Sequence, residues 1–536
     1  MSPSSASAPG VDTDAGRRAR RPWTPRRIAL AWGAAAFLAT AALSSGPGIS
    51  REEASVLAEA GAGPAGAGPT RLRPPLPAAL SRVTEAVAVR VGLPHLVGYR
   101  LAPALCTGLL AALLALLAAA VAGAPAAVIA PALVLFAPRL LHPLLQAGPA
   151  APGAALAVAT VFAYRRAVLA RARAARLAAA AAAGVLFGLA LAVQLEALAL
   201  LAAFVLHAGF LALRRSVRPA DPEPGPVPGE VPTVRPHPRS AWTALAAMLV
   251  LGPLLAVALW PGLWADPVGR LRDALLAIPG DAPAASLGAP LAVTVLALPA
   301  SLVVAFAGGL AHALARLLAR TTDARERQDR LLLVVAAVAP LAAAQAGLVP
   351  RGPGPGPWLA SFPFLAALAA QAAVAAGRAL WPAHARPIRL ALAAVAIAPG
   401  LTGAIHAWPD LGASWGELAG GAPGAASRGL PRHHGEVSPL LLREIAARAR
   451  TGARVRWAAT PPAALAVLAA DGRVRPDLAL AASLDECDIA VVPVSGGPRQ
   501  DEFQIWAALR TRSPVAGVFL DEVPLAWVYA RPGAWR

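Results

Sequence analysis

Long apolar runs dominate the pattern of hydrophobic and polar positions along the chain. A helix that crosses a membrane needs roughly 20 residues that are mostly apolar. The run 177–213 is too long for one such helix, and its polar residues Gln194 and Glu196 mark a turn between two. The pattern therefore predicts about eleven spans, at 28–46, 101–122, 124–145, 151–165, 177–194, 195–213, 241–262, 289–313, 331–349, 359–377 and 388–406.

Arginines cluster between these runs and indicate which side of the membrane each connection occupies. The arginine-bearing segments that fall on one side are the N-terminal tail, 165–176, 214–240, 315–330 and 378–389. Because short positively charged segments stay in the cytoplasm, that side is predicted to be cytoplasmic. The sequence thus predicts a multi-pass protein of the inner (cytoplasmic) membrane with its N-terminus in the cytoplasm.

Composition supports the membrane interpretation and excludes a nucleic-acid-binding protein. Hydrophobic residues make up 57% of the 536 residues and charged residues only 14%. The net charge of +19 comes from arginine blocks between apolar runs, which is the distribution of a membrane protein rather than of a nucleic-acid interface. The two cysteines, Cys106 and Cys487, are too few for a disulfide framework or a cysteine-based metal site.

The runs divide the chain into three predicted parts. Residues 1–27 form a disordered basic cytoplasmic tail, and residues 28–406 form a transmembrane domain. Strand-like and helix-like segments alternate after residue 407, which predicts a small extracytoplasmic α/β domain over 407–536. The connections of the transmembrane domain are an external loop 47–100, a cytoplasmic linker 214–240 and an external loop 263–288.

The external loop 47–100 contains the features closest to chemistry. Two adjacent carboxylates, Glu52 and Glu53, follow directly after the first span. Further along, residues 80–93 place Leu80, Val83 and Val87 at helical spacing. This segment is predicted to be a helix that lies in the membrane interface.

Several segments, in order along most of the chain, together resemble a known family. They are ISREEASVLAEAG (49–61), VGYRLAPALCTGLLAALLAL (97–116), LFAPRLLHPLLQAGPAAPGAAL (135–156) and WPGLWADPVGRLRDAL (260–275). This set resembles the GT-C superfamily of polyprenyl-phosphate-dependent glycosyltransferases, specifically bacterial family-39 proteins related to protein O-mannosyltransferases and the aminoarabinose transferase of lipid A. The resemblance implies a GT-C-like helical bundle with the small C-terminal α/β domain on the external face.

The same resemblance implies an active site and its substrates. In the family, the first external loop supplies an acid that acts as a base or positions the acceptor, and Glu52 stands at that position with Glu53 beside it. The expected donor is a polyprenyl-phosphate-linked sugar and the acceptor a lipid, glycan or protein of the envelope. Residues expected to bind the donor phosphate or substrate are Arg139, His142, Glu196 and Arg270.

Each candidate also has a structural interpretation. Glu52 and Glu53 could be solvated acids at the positive end of a helix. His142 and Glu196 lie where interfacial residues often serve packing or reach water, although ionisable residues in a membrane run are functional by default. Arg270 could form a surface pair with Asp273, three residues later.

Departures from the family pattern keep other functions open. A second acid of the family falls near Ala150, its lysine matches Gln194, and its Asp-Gly-x-Arg motif is replaced by GPGPGPW (352–358). The cofactor is therefore unknown. If a divalent metal binds, Glu52 and Glu53 are the carboxylates available to it, and no metal ligand is assigned. The alternatives are a degenerate relative that acts as a scaffold in envelope glycan assembly, or a lipid or sugar transporter.

Overall fold

The structure is a computed structural model. It describes residues 24–61, 73–217, 238–277, 289–319, 323–348, 356–380, 382–430, 432, 437–458, 460, 462–481, 483–494 and 500–536. Most of the predicted tail 1–27 and of the predicted linker 214–240 lies outside the described residues.

Up to residue 406, every regular element that the structure describes is a helix. The α-helices are α1 Pro25–Leu43, α2 Arg51–Gly61, α3 Leu76–Arg90, α4 His95–Ala122, α5 Ala124–Leu135, α6 Pro138–Leu144, α7 Ala150–Leu169, α8 Arg173–Val193, α9 Leu198–Val217, α10 Pro238–Leu259, α11 Pro267–Ala277, α12 Ala289–Ala297, α13 Ala300–Leu318, α14 Ala324–Gln345, α15 Phe362–Leu380 and α16 Ala385–His406. Among the described residues, nine helices are long and apolar enough to cross a membrane, or up to ten if the bent pair α5 and α6 is one span.

Each of the eleven predicted runs overlaps a helix or a pair of helices. The number of candidate spans among the described residues is lower than eleven for two local reasons. The run 124–145 bends by 82° between α5 and α6. Ala137 adopts an extended conformation there, because a residue before proline is driven away from the helical region. The run 151–165 lies in α7, which contains Arg165 and Arg166 close to its carboxyl end at Leu169 and is not among the nine.

Small residues allow two of the membrane helices to approach closely. Gly184 and Gly188 lie four residues apart on α8 and face α10. A Cβ atom on Gly184 would lie 2.6 Å from the carbonyl oxygen of Ala247, and one on Gly188 would lie 2.9 Å from that of Gly252. This is the small-xxx-small arrangement by which helices associate in lipid, where backbones can touch only if side chains are absent.

Charged residues join helices at the end of the bundle where the arginine blocks meet. Arg165 of α7 makes a two-pronged ion pair with Asp329 of α14, with both N–O distances 2.7 Å and both side chains largely buried. Glu326 accepts from Arg330 one turn later on α14. These contacts gather the arginine-bearing ends of α7 and α14 on one side of the bundle, as the sequence predicts. That this side is cytoplasmic stays a prediction.

Beyond residue 406 the described chain folds into the expected small α/β unit. Its helices are α17 Gly421–Ser427, α18 Pro439–Arg448, α19 Pro462–Ala470 and α20 Gln500–Leu509, and its strands are β1 Arg454–Trp457, β2 Ala479–Leu480, β3 Ile489–Pro493, β4 Ala516–Leu520 and β5 Val523–Ala530. The sheet order is β2-β1-β3-β5-β4. The pairs β1–β2 and β1–β3 are parallel, and β5 runs antiparallel to both β3 and β4.

The α/β unit is joined to the bundle by hydrogen bonds at defined points. Asp471, directly after α19, accepts from the backbone N–H groups of His95 (2.6 Å) and Leu96 (2.9 Å) at the start of α4. The Arg473 guanidinium donates to the carbonyl oxygen of Ser45 at 2.8 Å. A carboxylate at a helix N-terminus satisfies N–H groups that have no partner within the helix and complements the helix dipole.

The two parts also share one hydrophobic core. Ala54 and Leu57 of α2 pack in the same cluster as Val455 of β1, Leu465 of α19 and Val528 of β5. Ile49 forms an isolated antiparallel bridge with Val437. Helix α2 therefore lies between the membrane helices and the sheet, so that its position depends on both.

The cap on α4 can be tested by replacing Asp471 with alanine. Loss of a capping side chain costs about 0.5–2 kcal/mol, so the amides of His95 and Leu96 should exchange their hydrogens several-fold faster in Asp471→Ala. The measurement is hydrogen exchange of the full chain in detergent or lipid. Asp485→Ala, which removes an exposed carboxylate of the same unit, is the matched control. Unchanged exchange at the start of α4 in Asp471→Ala would contradict the capping role.

Candidate functional site

The site is built around the first turn of α2. Seven residues separate the end of α1 at Leu43 from the start of α2 at Arg51. Ser50 precedes the helix, and its hydroxyl accepts from the backbone N–H of Glu53 at 3.2 Å. This is the usual N-cap bond of a Ser-x-x-Glu sequence. The cap fixes the start of the helix, and with it the two directions in which Glu52 and Glu53 point.

Glu53 is fully buried and paired with Arg100 of α4. Its Oε1 accepts from the Arg100 Nε at 2.6 Å, and its Oε2 accepts from an Arg100 terminal nitrogen at 2.5 Å. Oε1 also accepts from the backbone N–H of Ala147 at 2.8 Å. Both side chains have no accessible surface. In a capping box the glutamate would turn back to its own helix start, but here it is directed into the bundle.

Arg100 also binds the backbone that leads into α2. It donates to the carbonyl oxygens of Ser44 (2.6 Å), Pro47 (3.0 Å) and Gly48 (3.0 Å). A guanidinium has five N–H donors, and with the two bonds to Glu53 every one of them has a partner. The segment from Ser44 to Glu53 is thus wrapped around one cation.

Glu52 points away from this pair and keeps an exposed side chain, although protein surrounds it at longer range. That enclosure raises the pKa of Glu52 above its ordinary value of 4.5. The positive charge of Arg73 lowers the pKa of Glu52, and the negative charge of Glu53 raises it further. An exposed carboxylate enclosed by protein lies in a recess. Its raised pKa makes it a better proton acceptor than an ordinary glutamate.

Glu196 and Arg73 lie within range of the charge of Glu52. Glu196 lies in a short 3-10 segment, Leu195–Ala197, between α8 and α9. The charges of Glu52 and Arg73 both act on Glu196. The Arg73 guanidinium donates to the Ser55 hydroxyl of α2 at 2.6 Å. Two carboxylates and one arginine, from three separate parts of the chain, are thus close enough for their charges to interact.

Arg139 and His142 lie on α6, away from any exposed surface. Arg139 is 2% exposed and donates from Nε to the carbonyl oxygen of Ser414 at 2.5 Å. Its guanidinium also lies 4.2 Å from the centroid of the Trp415 ring, within the range of a cation–π contact. His142 is 4% exposed. In this arrangement Arg139 holds the segment that follows α16.

Arg270 lies on α11 with an exposed side chain. It donates to the carbonyl oxygen of Gly262, at the end of α10. The surface pair expected between Arg270 and Asp273 is not what the structure shows. Asp273 instead accepts from its neighbour Arg272 at 3.3 Å, with both side chains more than half exposed. Arg270 therefore remains a cation at the surface of the bundle end that carries Glu196.

The glutamate pair does not fit a metal site. Both oxygens of Glu53 already accept hydrogen bonds from Arg100. Glu52 is therefore the one carboxylate of the pair that could bind a metal ion. Across the part of the chain that the structure describes, no group of three or more His, Cys, Asp or Glu side chains is placed to hold a metal ion.

Gln194, which stands where the family that the sequence resembles has lysine, packs against α7. A Cβ atom added to Gly153 would lie 2.6 Å from the amide group of Gln194. Because Gly153 has no side chain, the amide of Gln194 packs directly against the backbone of α7.

Sequence reasoning overlooked Arg100 and Arg73 as site residues. Arg100 was visible as a single arginine inside the apolar start of a span, and such residues are rare without a partner. Arg73 had no comparable signal, because its neighbours are prolines and leucines of a long loop. Its place beside Glu52 follows from folding of the loop.

Comparison with known proteins defines the fold. No protein-family model matches the chain, and no curated protein matches it by sequence. The crystal structure of ArnT from Cupriavidus metallidurans bound to undecaprenyl phosphate is similar, with a TM-score of 0.53 at 14% identity over 94% of this chain and 97% of that one. The apo structure of the same protein gives 0.53 and 15%, over 93% and 97%. The expected fold is confirmed, because the chain shares the fold of ArnT over almost its whole length.

The adjacent glutamates should differ sharply in their contribution to stability. Glu53→Gln leaves the Arg100 charge buried without its counter-charge, which costs about 3–5 kcal/mol. Glu52→Gln changes an exposed group and should stay within about 0.5 kcal/mol of the unmodified chain. Thermal unfolding of the two variants, followed in the same detergent, measures the difference. Equal melting temperatures for Glu53→Gln and Glu52→Gln would rule out the assigned roles.

Proposed function

We propose that this chain is a membrane glycosyltransferase that takes a sugar from a polyprenyl-phosphate donor and transfers it to an envelope acceptor on the external face. The carrying observation is the pair of neighbouring glutamates with opposite environments. Glu53 is bound by Arg100, whereas Glu52 is directed into a recess beside Arg73 and Glu196. The whole-chain similarity to the fold of ArnT, which was solved with undecaprenyl phosphate, supports the class of donor.

In this proposal Glu52 is the general base. An acceptor hydroxyl attacks the anomeric carbon of the donor sugar, and its proton passes to the Glu52 carboxylate. The bond between that carbon and the phosphate oxygen breaks, and the polyprenyl phosphate leaves with the electron pair. Attack from the side opposite the leaving group inverts the configuration at the anomeric carbon. A positioned base contributes about 10²–10⁴-fold to such a step.

Arg73 is assigned to the leaving phosphate. A developing negative charge is best stabilised by a cation that is already in place, and the charge of Arg73 acts on both Glu52 and Glu196. Its bond to the Ser55 hydroxyl ties it to α2. Glu196 is better suited to a sugar hydroxyl than to the phosphate, since two anions in one site repel each other. Arg270 remains a candidate contact for the donor at the surface.

Glu53 is assigned to positioning rather than to proton transfer. Its oxygens are saturated by Arg100 and by the Ala147 backbone, so a proton from the acceptor would have to displace an ion pair. The pair holds the start of α2, and thereby the Glu52 carboxylate, in a fixed direction. A misplacement of about 1 Å can cost about 100-fold in rate.

Replacement of Glu52 by glutamine tests the function. Purified protein in proteoliposomes is incubated with radiolabelled polyprenyl-phosphate sugars and envelope extract, and transfer of label to acceptor is measured. Glu52→Gln should lower the rate by about 10²–10⁴-fold, and Glu522→Gln, an exposed glutamate of the β4–β5 turn, should leave it unchanged. A chain that transfers no sugar, yet supports envelope glycan assembly equally well with Glu52→Gln, would instead be a scaffold.

The pH dependence of transfer provides an independent check on the base. Because only the deprotonated carboxylate accepts a proton, activity should rise with pH through the pKa of Glu52. The pKa of Glu52 is raised above 4.5 by its enclosure, so the acid limb of kcat/KM should have its midpoint above that value. Arg73→Gln removes a charge that lowers this pKa, and should shift the midpoint further upward. A midpoint at or below 4.5 would contradict the assignment.

A further inference from the structure

Charged side chains gather between α13 and α14, at the arginine-bearing end of the bundle. His312 and Arg316 lie one turn apart on α13, and Glu326 and Arg330 lie one turn apart on α14. The charges of Arg316, Glu326 and Arg330 all act on His312, and those of Arg316 and Glu326 act on Arg330. These four residues, which we call the α13–α14 cluster, are therefore close together although they come from two helices.

The α13–α14 cluster is separate from the glutamate site, and α7 connects the two regions. This helix begins at Ala150, shortly after the Ala147 amide that binds Glu53. Its Arg165 pairs with Asp329, next to the cluster on α14. From Ala150 to Arg165 a helix rises about 22 Å, at about 1.5 Å per residue. The proposed catalytic groups therefore do not reach the cluster, and its charges need an explanation of their own.

Arg330 is the buried member of the cluster, with 3% of its surface exposed. Its Nη2 donates to the Glu326 carboxylate. With the Gln371 amide of α15 oriented so that its oxygen faces the guanidinium, that oxygen accepts from Nε at 3.1 Å and from Nη2 at 3.2 Å. The Arg330 Nη1 and the His312 Nε2 are also buried, and neither has a hydrogen-bond partner among the described residues. Because buried polar atoms in folded proteins are almost always hydrogen-bonded, these two atoms indicate a ligand that accepts hydrogen bonds.

The cluster holds more positive than negative charge. Arg316 and Arg330 share one carboxylate, because Glu326 accepts from Arg330 with Oε1 and lies 3.8 Å from the Arg316 guanidinium with Oε2. Arg327 adds a third guanidinium, which donates to the carbonyl oxygen of Ala319, just after α13, at 2.7 Å. The Arg327 Nε is buried and has no partner in the described part of the chain. Guanidinium groups recognise phosphate by their charge and by paired N–H donors, so a phosphate is the ligand that fits.

The cluster borders the side of α13 that faces away from the protein. Gly308 and Ala315, four residues before and three after His312, are its neighbours on the helix surface, and both are exposed. Val304, one turn before Gly308, is 71% exposed. A Cβ atom added to Gly308 would meet no other atom within 4 Å, so the surface beside His312 is open. Since α13 is a candidate span, the medium on this side is lipid, and a phosphate bound here belongs to a lipid head group.

We propose that the α13–α14 cluster binds the phosphate of an anionic phospholipid. The phosphate accepts hydrogen bonds from the Arg330 Nη1 and from the His312 Nε2, in the tautomer that protonates this nitrogen. It enters on the side of Arg316 and Glu326, whose side chains are 40% and 35% exposed. The acyl chains lie against Gly308 and the rest of the exposed side of α13. Basic pockets between membrane helices are a recurring kind of head-group site, and here the bound lipid joins α13 to α14.

Lipid binding is measured on the full chain by native mass spectrometry. Dioleoyl-phosphatidylglycerol is titrated into the protein in detergent, and the fraction of protein that retains the lipid gives the dissociation constant. Two matched probes separate the parts of the ligand. Dioleoyl-phosphatidylcholine has the same chains and phosphate but no net charge, and glycerol 1-phosphate has the phosphate without the chains. The melting temperature is followed in parallel, because a ligand that binds the folded state raises it.

Phosphatidylglycerol should bind at least about fivefold more tightly than phosphatidylcholine, which is the gain expected from one arginine beside an anionic head group. It should also raise the melting temperature, whereas glycerol 1-phosphate should not. Equal binding of the two lipids would overturn the proposal. Equal stabilisation by glycerol 1-phosphate and phosphatidylglycerol would show a site for free phosphate and overturn the lipid assignment. Because the readout needs no sugar, the result does not depend on the proposed glycosyltransferase activity.

A matched pair of arginine variants separates a specific site from general attraction to the basic end of the bundle. Arg316→Gln removes a charge of the cluster, whereas Arg325→Gln removes an exposed arginine in the first turn of α14. Arg316→Gln should weaken phosphatidylglycerol binding by about fivefold or more. Arg325→Gln should leave it nearly unchanged, because exposed charges are screened by salt. Equal losses in the two variants would overturn the site.

His312→Phe tests the buried donors. Arg330 is less suitable, because it also bonds to Glu326 and to α15, and its replacement would disturb the packing of the helices. Phenylalanine keeps a ring at position 312 but removes the Nε2 donor. Binding of phosphatidylglycerol should weaken by about tenfold, as for loss of a hydrogen bond to a charged group. Undiminished binding, in protein with unchanged elution on size exclusion, would overturn the assignment of the phosphate to this cluster.

Discussion

One guanidinium, that of Arg100, fixes the geometry on which the candidate site depends. Its five hydrogen bonds reach Glu53 and the backbone from Ser44 to Gly48. An isolated charge at a buried position costs several kcal/mol, so removal of one partner destabilises the whole set. The candidate span α4 thereby controls the path of the chain between α1 and α2. The orientation of Glu52 is a consequence of that path.

Successive residues of a helix point about 100° apart, and this simple fact separates the roles of the two acids. The Glu53 side chain enters the bundle and meets a cation, and the side chain of the preceding residue, Glu52, points away from it. The two carboxyl groups are chemically identical, but their surroundings differ: the carboxylate of Glu53 is buried against Arg100, and that of Glu52 is the base that we propose. The sheet packs against Ala54 and Leu57 of α2 and so holds the helix from its other side.

The sequence predicted what depends on local pattern. Apolar length predicted the helices of the bundle, and the alternation of strand-like and helix-like segments after residue 407 predicted the α/β unit. The very short β2 offers too few residues for a pattern. Proline at 138 was a sign of the break near Ala137 that reduced the number of spans. Contacts between distant residues were not predictable. Glu53 and Arg100 are 47 residues apart and Asp471 and His95 are 376 apart, so their pairing required the folded chain.

The long separation between Asp471 and His95 has a consequence for biogenesis. Helix α4 is synthesised early, whereas the carboxylate that completes its first turn is translated 376 residues later. The shared core around α2 likewise needs residues of the sheet, which are translated after all of the candidate spans. The glutamate-bearing helix therefore reaches its final position only after the sheet is synthesised, so a translation product that stops before the sheet lacks a finished site.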